Sequence, residues 1–185
     1  MSDASPPVAR RPALAAVPRL AEASDEPLSF DDFYRQEHRQ VLGLAFVLTG
    51  SLAVAEDVAQ DAFTAALRHW HVVADCDSPG GWVRRVTCNR AASVVRRRLV
   101  EARALVRLAK RTQTTVELDD GDAAFWQAVR QLPLRQAQTV ALYYFADYSV
   151  REIAAVLDCS EGTVKTHLSR ARAAVARQLR LEDSP

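Results

Sequence analysis

Between Gly162 and Arg177 the chain repeats small, hydroxylic and cationic side chains with helical spacing. At about 100° per residue, Gly162, Thr166, Ser169, Arg170 and Arg177 fall on one side, flanked by Lys165 and Arg172. Hydroxyls can bond base edges, arginine forks onto guanine, and both cations neutralise phosphate, so this side could read a major groove. Val164, Leu168, Ala171 and Val175 gather opposite and should face a core. Just upstream, Ser149 and Glu152 form a capping box for a shorter helix with Val150, Ile153, Ala154 and Leu157 at i, i+3, i+4 and i+7. The connection Asp158-Cys159-Ser160 is tight, with Ser160 suited to N-cap the second helix. The unit reads as a helix-turn-helix. The competing reading is a surface hairpin whose polar side meets only water; cap, turn, two apolar stripes and a basic far side together favour DNA.

A second constellation lies upstream. Ser78-Pro79 opens a helix running to about Arg98, on which Arg85, Asn89, Ala92 and Arg96 follow at i, i+4, i+7 and i+11. This stripe, opposite Val83, Val86 and Val94, could track a phosphate backbone. Trp82, Trp70 and the loop between them offer the aromatic and small polar groups that stack unpaired bases. The tryptophans taken alone read better as core anchors, and the arginines could be a solvated face. A third stripe, Asp57, Gln60, Asp61, Thr64 and Arg68, lies apart from the apolar side of its own helix. Catalytic and metal chemistry find little support. Glu37-His38 and His69-x-His71 lack the i, i+4 spacing that sets two ligands on one helix face, and Cys76, Cys88 and Cys159 form no CxxC pair.

The elements that must carry these stripes are all helical. Residues 1 to 28 hold five prolines and no sustained period, which reads as a flexible extension. A first helix starts at Ser29, capped with Asp32, and ends at Gly50; a second runs from about Leu52 to Trp70, followed by a loop from His71 to Ser78. Thr112 to Gly121 reads as a tether, and Asp122 to Gln131 and Leu134 to Tyr144 as two further amphipathic helices ahead of the helix-turn-helix. The expectation is an all-α protein of two small helical domains, 29–99 and 122–181, joined by a flexible linker over 100–121. Net charge is only +1, yet it is segregated: residues 26 to 77 carry nine acids against three arginines, and residues 84 to 111 carry ten basic residues against Glu101. The longest apolar run, Val41 to Leu48, is too short to span a bilayer, and the stretch after Arg10-Arg11 is cut by Pro18 and Arg19, so neither membrane nor export is expected. Three scattered cysteines suit a reducing cytoplasm.

Three segments, making two matches in order along the chain, carry a family resemblance. AEDVAQDAFTAALRHW (Ala55 to Trp70) and SPGGWVRRVTCNRAASVVRRR (Ser78 to Arg98) are similar to the second region of extracytoplasmic-function sigma factors. LPLRQAQTVALYYFADYSVREIAAVLDCSEGTVKTHLSRAR (Leu132 to Arg172) is similar to their fourth region. The resemblance implies a transcription initiation factor without catalysis or cofactor of its own, whose partners are core RNA polymerase and promoter DNA, with an anti-sigma protein often added. It implies that Asp57, Gln60, Asp61 and Thr64 dock on the β′ clamp helices, that the second domain also meets the β flap, and that Asp77, Trp82, Arg85, Asn89, Arg96 and Arg97 hold the minus-10 element. Lys165, Thr166, His167, Ser169, Arg170 and Arg172 then meet the minus-35 element. His167 stands where the family commonly has arginine and reads as a surface histidine. The alternative is a stand-alone helix-turn-helix regulator, which the acidic stripe and second basic zone disfavour.

Overall fold

The structure, a computed structural model, describes residues 28–105 and 120–182, with side chains over 28–98 and 122–180. Over these residues eight α-helices occur in order: α1 (Phe30–Thr49), α2 (Leu52–Arg68), α3 (Trp70–Val73), α4 (Pro79–Leu105), α5 (Asp120–Arg130), α6 (Leu134–Val140), α7 (Val150–Leu157) and α8 (Glu161–Glu182). A π-helical turn, Ala141–Phe145, continues α6, and no strand occurs among the described residues. The extension expected over residues 1 to 28 lies outside the described residues except for Leu28. So does most of the linker expected over 100–121, except at its ends: α4, expected to stop near Arg98, runs on to Leu105, and Asp120 already begins α5.

Local chemistry sets the helix ends. Ser29 caps α1, its hydroxyl accepting from the Asp32 amide at 3.2 Å, and Gly50 closes the helix at φ 70°, a left-handed geometry that glycine adopts without strain. α2 stops two residues before the expected Trp70 and is followed by the single turn α3, which replaces the start of the expected loop. The aromatic cluster accounts for the break. Trp70 sets its ring 5.4 Å from Phe30, edge-on, and 5.0 Å from Phe33, contacts that a straight continuation of α2 would have to give up. The helix expected over Leu134 to Tyr144 gives way at Ala141 to the π turn, closed by the Ala146 amide on the Ala141 carbonyl at 3.2 Å. One extra residue in the turn rotates the chain beyond it, and Phe145 thereby leaves its own helix face to pack on α1.

α1, α2 and α4 pack on one another, and α8 packs on α5, α6 and α7. The two halves also pack together: α4 lies against α7, and α1 lies against both the π turn and α5. One continuous core therefore contains Leu44, Leu48 and Val58 from the first half with Trp126, Leu142, Ile153 and Val164 from the second. A smaller core holds Phe33, Val41, Phe63 and Val83 within the first half. Ala92, grouped with the polar stripe by spacing, is buried instead.

Specific contacts join the halves. Gly43 on α1 leaves room for the Phe145 ring, which a Cβ there would overlap. Gln138, fully buried, donates from Nε2 to the Cys88 carbonyl of α4 at 3.0 Å. Arg84, 5 % exposed, holds Glu37 at 2.7 Å and Gln40 at 2.9 Å, and its guanidinium lies 5.2 Å from the Tyr148 ring centre. Arg85 pairs with Asp158 at 3.2 Å.

Two N-cap serines differ in a way that stability should report. Ser149 receives the Glu152 amide and its own amide donates to the Glu152 carboxylate at 2.8 Å, a complete capping box, whereas Ser51 makes no side-chain cap bond. Ser149→Ala should therefore cost about 1 kcal/mol, and Ser51→Ala less than about 0.5 kcal/mol. Urea unfolding followed by circular dichroism checks this; equal losses would contradict the cap assignment.

Candidate nucleic-acid interface

The helix-turn-helix is assembled by its caps. α7 ends at Asp158 with φ 54°, one of two non-glycine residues in left-handed geometry among those described, and an aspartate tolerates that conformation better than most side chains. The Asp158 amide returns to the Ala154 carbonyl, and Ser160 then caps α8 by accepting the Thr163 amide at 3.1 Å. The chain thus reverses within three residues, which fixes α8 across α7. Val164, Leu168, Ala171 and Val175 are all buried. Gly162, Lys165, Thr166, Ser169, Arg170, Arg172 and Arg177 are all exposed.

The exposed residues are not equivalent. Lys165, Ser169 and Arg170 extend into solvent, while the Thr166 hydroxyl donates back to the Gly162 carbonyl at 2.9 Å, leaving its lone pairs to accept. Arg172 is held from behind: its Nε donates to the Tyr144 hydroxyl at 2.9 Å, and its guanidinium lies 5.6 Å and 5.8 Å from the Tyr143 and Tyr144 ring centres. Such a guanidinium is oriented before any ligand arrives, with its terminal nitrogens available for phosphate. His167 is half-buried, with Nδ1 enclosed and unpartnered, so it sits at the edge of the face and not within it.

On α4, Arg85, Asn89, Arg96 and Arg97 are exposed, as is Asp77 in the turn before the helix. Trp82 is half-buried against the smaller core, as Trp70 is, which is how an anchor sits. Arg85 is brought away from its stripe-mates by its pairing with Asp158 of the helix-turn-helix. On α2, Asp57, Gln60, Asp61 and Thr64 form an exposed stripe, with Asp61 4.0 Å from Arg90 of α4. Gln60 and Thr64 border a shallow groove against α1, lined also by Tyr34, His38, Phe63 and Leu67.

Spacing alone passed over the residues that join the halves. Arg84 carries a usable signal, since it shares the i, i+4, i+8 register with Gly80 and Cys88 and so puts a charge on an inward stripe. Gln138 and Phe145 carry none, because a buried amide and a π turn follow from tertiary packing. Burial pushes the Cys88 thiol up to about 12 from 9.0, the nearby Arg135 and Arg84 only partly opposing it, so this thiol stays protonated and inert. Among the described residues no group of three or more His, Cys, Asp or Glu could hold a metal ion, and no helix is long and apolar enough to cross a membrane.

Comparison with known proteins bears on both halves. The family model for sigma-70 region 2 matches residues 33–99, and that for sigma-70 region 4 matches residues 122–175. The chain is 29 % identical over 160 residues to the ECF RNA polymerase sigma factor SigM of Mycobacterium tuberculosis, covering 86 % of this chain and 81 % of the relative. It is 28 % identical over 162 residues to the RNA polymerase sigma-E factor of Streptomyces antibioticus, covering 87 % of this chain and 90 % of the relative. The fold is similar to that of the sigma factor RpoE solved with the anti-sigma factor NepR from Bartonella quintana, with a TM-score of 0.68 and 22 % identity over 84 % of this chain and 98 % of that one. With both regions matched in order along most of its length, the chain belongs to the sigma-70 family, as an extracytoplasmic-function RNA polymerase sigma factor.

Proposed function

We propose that this chain binds core RNA polymerase and brings it to promoters, α8 reading the minus-35 element, α4 and the turn before it holding the melted minus-10 strand, and α2 docking on the polymerase. The observation that carries this reading is the division of α8 into a fully buried apolar side and an exposed side of Lys165, Thr166, Ser169 and Arg170. A helix that only folds also needs a polar outer face, but not one that gathers hydroxyls and cations with no acid among them, as residues 162–177 do. Lys165 and Arg172 supply phosphate contacts that set orientation, whereas Ser169 and Arg170 supply base contacts that set sequence. On α4, Asn89, Arg96 and Arg97 follow the displaced strand, with Asp77 and Trp82 at the mouth where a base would leave the stack. Flipping a base costs a few kcal/mol, which phosphate neutralisation along α4 offsets.

The stripe Asp57, Gln60, Asp61 and Thr64 suits a basic partner surface and steers encounter with it. In this reading the factor works in the cytoplasm, has no catalysis of its own, and meets an anti-sigma protein as the sigma factor similar in fold does.

The direct test is promoter-specific transcription by core polymerase with and without the chain. A specific transcript only in its presence supports the reading; specific operator binding with no effect on the polymerase would replace it with a stand-alone regulator. Ser169→Ala with Arg170→Ala should weaken binding to a minus-35 duplex about 10- to 100-fold, at roughly 1–3 kcal/mol for a base contact of this kind. Polymerase binding should stay intact, and equal loss of both would contradict the assignment. Charge reversal at Asp57 and Asp61 should do the opposite, lowering polymerase affinity and leaving duplex affinity unchanged in a gel-shift titration.

A further inference from the structure

Arg172 differs from the other cations on the outer side of α8. Among the described residues Lys165, Arg170 and Arg177 make no hydrogen bond, ion pair or ring contact, whereas Arg172 makes one hydrogen bond and two ring contacts and still remains exposed. A guanidinium carries five N–H donors, one on Nε and four on its terminal nitrogens. The Tyr144 hydroxyl takes the first at 2.9 Å, so what remains is the terminal fork, the edge that can meet two oxygens of one phosphate together. Ring centres at 5.6 Å and 5.8 Å attract the same charge and disfavour rotamers that would swing the fork away.

The brace is itself held. Tyr144 sets its ring edge-on to Tyr143 at 5.0 Å and to Phe125 of α5 at 5.9 Å, and Phe125 meets Trp126, buried in the continuous core, at 5.0 Å. Both tyrosines belong to the π turn. Its extra residue lets three consecutive aromatics serve two helices, Phe145 reaching α1 while Tyr143 and Tyr144 meet α8. Position along α8 matters as well. Arg172 lies seven residues beyond Lys165, two turns along the same edge, with Ser169 and Arg170 between them in the chain. A cation held at that edge fixes how α8 is rotated over a duplex, which a cation on a free stem does not.

We propose that Tyr143 and Tyr144 are positioning residues for DNA: they hold the Arg172 fork on a backbone phosphate and so set the register in which Ser169 and Arg170 meet the bases. The group recognised is a phosphodiester of duplex DNA, whatever its sequence. This positioning rests on the reading of α8 as a DNA-facing helix.

Because a phosphate contact is blind to sequence, the probe is a labelled duplex of mixed sequence, titrated with the full chain by fluorescence anisotropy at several salt concentrations. Tyr144→Phe keeps the ring and removes only the acceptor of the Nε bond, and it should weaken binding about threefold to tenfold. Arg172→Ala should weaken binding at least as much and lower the slope of log affinity against log salt by about 0.9, the share of one phosphate. With Arg172→Ala in place, Tyr144→Phe should have no further effect, since a residue acting through Arg172 has nothing left to orient. Arg172→Lys keeps the charge and loses the planar fork; it should weaken binding as Tyr144→Phe does, and it decides the matter should the tyrosine variant fail to fold. Equal loss from Tyr144→Phe with and without Arg172, binding by Arg172→Lys as tight as wild type, or a wild type that binds no duplex would overturn the positioning role. Promoter-specific transcription by the wild type with core polymerase would in that case leave the promoter reading standing. Coupled loss on the duplex without any such transcription would do the reverse, removing the promoter reading and keeping the phosphate contact.

Discussion

A guanidinium enclosed by protein is tolerable only while its charge is matched, and Arg84 shows how this fold meets that condition. Its partners Glu37, Gln40 and the Gly80 carbonyl come from α1 and from the first turn of α4, so the pair locks two helices of the first half at a fixed crossing. Leaving either member of such a pair alone would cost several kcal/mol. That rigid platform then offers the Tyr148 ring a cationic surface and the Phe145 ring a glycine-sized recess, so the second half has one place to sit. The charge of Arg84 is thus matched inside one half, and the contacts across the interface are an aromatic ring, a buried amide and an exposed ion pair.

The second half obeys a different constraint. α7 and α8 must each bury a stripe and must reverse direction in three residues, which requires a capped start at Ser149, a left-handed Asp158 and a second cap at Ser160. Once those are in place, the rotation of α8 is settled by Val164, Leu168, Ala171 and Val175, and its outward residues have no freedom to face elsewhere. In the proposed function, stability and recognition are thus opposite sides of one helix. Arg172 adds a refinement, because its tyrosine pair fixes the orientation of a cation at the border of that exposed face.

Much of this was legible in the sequence where period and caps agree. The α8 stripes, the Ser149 box and the ends of α1 rest on local rules that tertiary packing reinforces. The illegible parts share a cause: they are decided by contacts far apart in the chain. Trp70 breaks α2 because Phe30 and Phe33 wait for its ring, and Phe145 departs from the α6 register because Gly43 makes room for it. Ala92 reads as part of a polar stripe by spacing and is buried. The sequence reads as two small helical domains joined by a linker, and what it does not reveal is the core that runs through both, by way of Leu48, Trp126 and Ile153.

In the proposed function, two cationic helices of one chain, α4 and α8, engage two separated stretches of a promoter at the same time. Varying the distance between those stretches tests this most directly, with core polymerase, the full chain and a series of templates differing by single base pairs. A sharp optimum is expected, with transcription falling steeply when half a helical turn, about five base pairs, is inserted. Transcription that is indifferent to spacing, or that survives deletion of either stretch, would contradict simultaneous engagement.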